Sequence, residues 1–205
     1  MSKPTYTEVE AKFYVADLAG LETRLAAAGA ELVAARVLEH NLRFDTERDK
    51  LKQARQVLRL RKDAQVRITF KGPIDDQAEL STRQEIEITL NDHDAGKELL
   101  EALGYEVKIV YEKYRTTYSL AGLEWMLDEL PFGDFVEIEG HAVSEIRAAA
   151  QALGLDWDRR VKHGYLYLFG RVKDVLGLQF RDLTFANFEG VKVNAEDLGV
   201  LAADQ

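Results

Sequence analysis

Six stretches of this chain alternate charged and apolar residues with a period of two, and within each stretch the charges are mostly of one sign. In TEVEAKFYV (7–15), Glu8, Glu10 and Lys12 share one face, while Val9, Ala11 and Phe13 share the other. VLRLR aligns Arg59 with Arg61, VRITFK aligns Arg67, Thr69 and Lys71, and RQEIEITL aligns Arg83, Glu85 and Glu87. EKYR sets Lys113 beside Arg115, and FVEIEG sets Glu137 beside Glu139. Successive side chains of a strand point to opposite faces, so each stretch reads as a strand with one charged and one apolar side. An antiparallel sheet with one wet face would give the same alternation in any single strand. Sorting by sign, strand after strand, is a tighter constraint than alternation alone. Amphipathic helices elsewhere in the chain need an apolar sheet face to cover. With helices outside, the charged faces turn inward and line a polar lumen with acidic and basic rows.

The remaining segments fit that plan. Strands are expected at 6–15, 31–46, 79–90, 105–120, 122–130 and 134–140, RQVLRLRKD (55–63) and AQVRITFKG (64–72) read as the two arms of a hairpin around Asp63–Ala64, and Gly72-Pro73 breaks the pattern. Helices are expected from Asp17 to Gly29, from Asn91 or Asp92 to Gly104, over SEIRAAAQALG, and over VKHGYLYLFGRVKDVL. Residues 177–205 have weak periodicity, so the expected division is one domain over 1–176 and a C-terminal extension. The fold class is α+β: a closed eight-stranded antiparallel barrel with flanking helices.

Composition removes several function classes. There is no cysteine, hence no disulfide framework and no thiolate zinc site. The N-terminal MSKPTYTEVE lacks an apolar signal region and no run of 18 apolar residues occurs, so a cytoplasmic protein without membrane contact is expected. A net charge of -9 argues against nucleic acid as partner, since that affinity rests on cation–phosphate contacts. The four histidines are scattered, and Gly96-Lys97 lacks the hydroxyl residue and the earlier glycine of a phosphate-binding loop.

A lumen of acids and bases suits few ligands. Crowded carboxylates repel unless a cation joins them, and oxygen donors without Cys or a His cluster suit Mg²⁺ or Mn²⁺. Converging Arg and Lys suit a polyanion. Together they suit a small molecule carrying a triphosphate.

At this point a family resemblance enters. Glu8-x-Glu10-x-Lys12, followed in order by LRLRK, TFKGP, RQEIEI, EKYR, LDEL and FVEIEG, resembles the CYTH superfamily of triphosphate tunnel metalloenzymes. That family groups class IV adenylyl cyclases, thiamine triphosphatases and inorganic triphosphatases. The resemblance implies that Glu8, Glu10, Asp128, Glu137 and Glu139 bind metal. It implies that Lys12, Arg59, Arg61, Lys71, Lys113 and Arg115 hold phosphate oxygens, with Glu8, Glu10, Lys12, Arg59, Glu137 and Glu139 at the chemistry. Glu85 and Glu87 match additional tunnel acids, either for a second metal or paired with neighbouring cations. Lys162 and Tyr165 fall near a Ser-Tyr segment of the family in which glycine replaces the serine here. Asn41-x-x-Phe-Asp-Thr46 resembles the triphosphatase branch, whereas TFKGP and DEL…FGDFVEIEG resemble the cyclases. The reading favours hydrolysis of a triphosphate by a monomer or homodimer. Cyclisation of ATP is the alternative, and polyphosphate or nucleotide binding without turnover a third.

Overall fold

The computed structural model describes residues 7–73 and 81–205, with the side chains of residues 7, 8 and 81–83 outside that description. The eight expected strands are present: β1 (Thr7–Val15), β2 (Glu31–Asp45), β3 (Val57–Lys62), β4 (Val66–Lys71), β5 (Ser81–Leu90), β6 (Glu106–Leu120), β7 (Leu123–Leu130) and β8 (Gly133–Gly140). The helices are α1 (Leu18–Ala27), α2 (Lys50–Gln53), α3 (His93–Ala102), α4 (Val143–Ala152), α5 (Tyr165–Leu176) and α6 (Ala195–Leu198). Among these described residues no helix is long and apolar enough to cross a membrane.

Strand order is β1-β5-β4-β3-β2-β6-β7-β8, every pairing is antiparallel, and β1 also pairs with β8. The sheet is therefore eight-stranded and antiparallel with flanking helices, as the alternation predicts. Its shortest seam is β1–β5, where residues 7–10 meet 81–84.

Helix ends follow local chemistry. The Asp17 carboxylate accepts from the Gly20 N–H at the start of α1, and Gly29 supplies the left-handed conformation after its end. Asp92 caps α3 through the amides of Asp94 and Ala95.

The apolar faces do what the parity requires. Leu21 and Leu25 of α1 and Ile146 and Ala150 of α4 pack on Ala11, Phe13, Trp125, Val136 and Ile138. Leu58 and Leu60 pack beside Leu100 of α3. Each Leu, Ile, Val or Phe among them removed from water contributes roughly 1.5–3 kcal/mol. The outer face of β5 departs from the plan: Ile86 and Ile88 stay about half exposed, at 50% and 52%, because the helices cover other strands.

Residues 160–205 fill sheet edges, a use their sequence pattern conceals. The Val161 N–H donates to the Lys12 carbonyl and the Ala203 N–H to the Tyr14 carbonyl, on the part of β1 beyond its pairing with β5. Leu183 accepts from the Glu112 N–H and donates to the Val110 carbonyl, along β6 where its pairing with β7 has ended. These bonds explain why α5 starts at Tyr165 rather than at Val161. Leu168, Phe169 and Val172 of α5 then form an apolar cluster with Leu130, Phe132, Phe135, Leu183, Phe188 and Leu198.

Candidate functional site

The inward faces of the strands enclose a cavity of about 790 Å³. Eleven of the thirteen residues expected at the site line it: Glu10, Lys12, Arg59, Arg61, Lys71, Glu85, Glu87, Lys113, Arg115, Glu137 and Glu139. Glu8 lies on β1, but its side chain is outside the described residues. Lys162 is not on the wall, whereas Tyr165 is.

Asp128 does not line the cavity, and its place differs from the metal role that the resemblance implies. Its side chain is fully buried, and Lys113 Nζ donates to it at 2.8 Å. Arg115 Nε and Nη2 each donate to it at 2.6 Å, and the Tyr165 hydroxyl donates at 2.8 Å. With these donors around it, Asp128 is the buried anchor of two cavity cations.

Register sets the other partners. Lys12 stands opposite Glu137 and Glu10 opposite Glu139 across β1–β8. Lys12 Nζ lies 2.8 Å from Glu137 and 3.1 Å from Glu10. Arg115 reaches a second carboxylate, Glu137, at 2.5 Å. Burial alone would raise the Glu137 carboxyl, but Lys12, Lys113 and Arg115 pull it well below the usual carboxylate range. Burial likewise opposes the Lys12 charge, yet Glu10 and Glu137 outweigh it and raise the ammonium. Both groups are charged across the ordinary pH range. On the far side Arg59 donates to the Tyr111 hydroxyl at 3.3 Å and the Thr69 hydroxyl at 3.2 Å, and Thr69 donates to Glu87 at 2.9 Å. Lys71 pairs with Glu85 at 2.5 Å.

Several wall residues escaped the reading of the sequence: Glu39, Arg43, Asp63, Tyr111 and Glu124. Glu39 is the most consequential. Its side chain is 2% exposed, with Arg61 at 3.1 Å, Lys113 at 3.7 Å and Arg115 at 3.9 Å. Burial would raise its carboxyl, but these cations bring it down to about 2. A carboxyl held below its unfolded value of 4.5 stabilises the fold above that pH, and the contribution fades as pH falls toward about 2. Its size is on the order of 3 kcal/mol. Denaturant unfolding of the protein and of Glu39→Gln should therefore show a stability gap that narrows steadily below about pH 5. A gap independent of pH would contradict the pairing.

Among the described residues, charge on the wall is balanced. Lys12, Arg43, Arg59, Arg61, Arg67, Lys71, Lys113 and Arg115 face Glu10, Glu39, Asp63, Glu85, Glu87, Glu124, Glu137 and Glu139. A bare polyanion entering a neutral cavity would leave it strongly negative, so a triphosphate suits this wall best when accompanied by a cation.

As they stand, no three His, Asp or Glu side chains among the described residues converge as a ready metal cluster. The donor chemistry nevertheless fits a divalent cation. Glu10, Glu139 and Glu124 are direct cross-strand neighbours over β1, β8 and β7. Carboxylates in such a row repel unless a cation joins them, and all-oxygen donors suit a hard ion.

Comparison with known proteins agrees with this fold. A protein of Methanocaldococcus jannaschii provisionally named adenylate cyclase is 25% identical over 174 residues, covering 80% of this chain and 98% of the relative. A solved structure from Vibrio parahaemolyticus, also provisionally named adenylate cyclase, shares the fold at TM-score 0.73 and 22% identity, covering 80% of this chain and 98% of its own. A Hippeastrum protein, provisionally named adenylyl cyclase and described as having a dominant triphosphatase activity, shares the fold at TM-score 0.60 and 18% identity. Its match covers 95% of this chain and 99% of that one. The model of the CYTH domain matches residues 6–155, most of the chain, and the protein belongs to the CYTH domain family.

Proposed function

We propose that this protein is a divalent-metal-dependent hydrolase of triphosphates, with the sheet closing at the short β1–β5 seam into a tunnel. The observation that carries the reading is the wall of interleaved cations and carboxylates, balanced in charge among the described residues, around one cavity. A triphosphate entering it offers phosphate oxygens to Lys12, Arg59, Arg61, Lys71, Lys113 and Arg115. Arg grips such oxygens bidentately, and preformed positive charge gains strength as negative charge develops on the transferring phosphoryl group. Asp128 and Tyr165 position Lys113 and Arg115 for that task without touching substrate. Glu137, held well below the usual carboxylate range, is a poor proton acceptor and serves to orient Lys12 and Arg115. Glu10, Glu139 and Glu124, with Glu8 beside them on β1, are the residues that would hold Mg²⁺ or Mn²⁺. When bound, the ion supplies Lewis-acid charge at phosphoryl oxygens. Residues 177–205, bonded to the edges of β1 and β6, would close one end of the same unit rather than form a separate one.

The Asn41–Thr46 segment does not separate hydrolysis from cyclisation. Asp45 accepts from the amides of Thr46, Leu51 and Lys52, so this carboxylate shapes the turn into α2. What favours hydrolysis is a wall dominated by ionic groups, whose grip is on phosphate. Turnover should require Mg²⁺ or Mn²⁺ and disappear in excess chelator, with tripolyphosphate binding weakened at the same time. Undiminished turnover in chelator would rule the reading out.

A further inference from the structure

The first turn of α5 reaches the cavity with Gly164, Tyr165, Leu166 and Tyr167. Tyr165 goes inward, with Lys12 Nζ 4.4 Å and Lys113 Nζ 5.3 Å from its ring centre. Tyr167, two residues on, both lines the cavity and is 59% exposed, which places its ring where the cavity meets solvent. It is also held in place: His163 stacks on it with ring centres 3.9 Å apart and planes 22° from parallel. A large, braced, exposed aromatic ring at the mouth of an ionic cavity is not needed for packing. Beside it Gly164 carries no side chain, and the space a Cβ would take there is open. The phosphate chain accounts for the charged wall, whereas this platform has no use for phosphate. Aromatic side chains do have a use for the flat face of a heterocycle, which they stack upon with little regard to its identity.

We propose that Tyr167, braced by His163, is the specificity platform on which the base of a nucleoside triphosphate stacks while its phosphates lie along Lys12 and Lys113. This rests on the triphosphate reading above and adds to it an affinity preference for triphosphates that carry an aromatic ring. Tripolyphosphate still enters the same wall, without the added affinity. The platform is a binding element, so it lowers KM and leaves kcat alone.

Calorimetric titration with Mg²⁺ and two slowly hydrolysed probes tests it: β,γ-imido ATP, and imidotripolyphosphate, which has no ring. Tyr167→Ala should raise the Kd of the ATP analogue about tenfold and leave that of the ring-free probe within about twofold. Tyr167→Phe should keep both near the wild-type values, because the stacking face is retained. Equal weakening of both probes by Tyr167→Ala, or no weakening of either, overturns the platform. Wild-type protein that binds the ring-free probe alone also overturns it, leaving the triphosphate reading intact. Wild-type protein that binds neither probe contradicts both.

Discussion

Glu137→Gln should remove most triphosphate turnover, by roughly 100-fold or more in kcat, while the protein still folds. Glu137 is 8% exposed at its side chain and joins Lys12 at 2.8 Å to Arg115 at 2.5 Å, so it aligns one cation from β1 with one from β6. Glutamine has the shape to keep one hydrogen bond but not the charge that orders both. Lys12 retains Glu10, and Arg115 retains Asp128, so neither cation is left alone. The stability cost should be about 1–3 kcal/mol, as for removing a charged hydrogen-bond partner inside a protein. Crowded carboxylates, considered alone, would suggest the opposite sign, with neutralisation relieving repulsion. The partners across the strands reverse it: this carboxylate is surrounded by cations, and its depressed pKa records the attraction. Steady-state kinetics with tripolyphosphate, together with urea unfolding of the same variant, separates the two effects. An unchanged kcat would remove Glu137 from the site, and increased stability would contradict the pairing.

That reversal shows what the alternation could and could not reveal. A period of two fixes which side of a strand a residue takes, so Lys12, Arg59, Lys113 and Glu137 could be placed in a common lumen from their parity. Parity says nothing of which strand lies alongside, and the partner decides the electrostatics. Lys12 meets Glu137 and Lys113 meets Glu39 only because β8 and β2 are neighbours of β1 and β6.

Glu39 was hidden for a second reason. β2 has register shifts near Leu32, Ala34 and Val37, which interrupt the alternation that marks its inward face. Glu124 sits in LEWMLDEL, where Met126 separates it from Asp128, the next acid of that parity. Asp128 shares the inward parity, and only the three-dimensional positions of Lys113, Arg115 and Tyr165 show that its oxygens are occupied.

The C-terminal residues were illegible for a different cause. Besides the apolar contacts of Leu183, Phe188 and Leu198, they act through backbone bonds at Leu183 and Ala203, and a backbone donor leaves no mark in the side-chain pattern. Asp45 looked like part of a functional signature, yet its carboxylate is spent on three backbone amides.

The reaction itself is decided by which phosphorus is attacked, and product analysis reads that directly. Hydrolysis needs only the phosphate grip, so a ring-free substrate suffices. Cyclisation needs a ribose whose 3′-oxygen attacks the α-phosphorus, so tripolyphosphate can only inhibit it. Tripolyphosphate and ATP should be incubated separately with Mg²⁺ or Mn²⁺, and orthophosphate, pyrophosphate and cyclic nucleotide measured in each. The account predicts orthophosphate from tripolyphosphate at a rate comparable to or above that from ATP, with little cyclic nucleotide. Conversion of ATP to cyclic AMP and pyrophosphate, with tripolyphosphate acting only as an inhibitor, would contradict it.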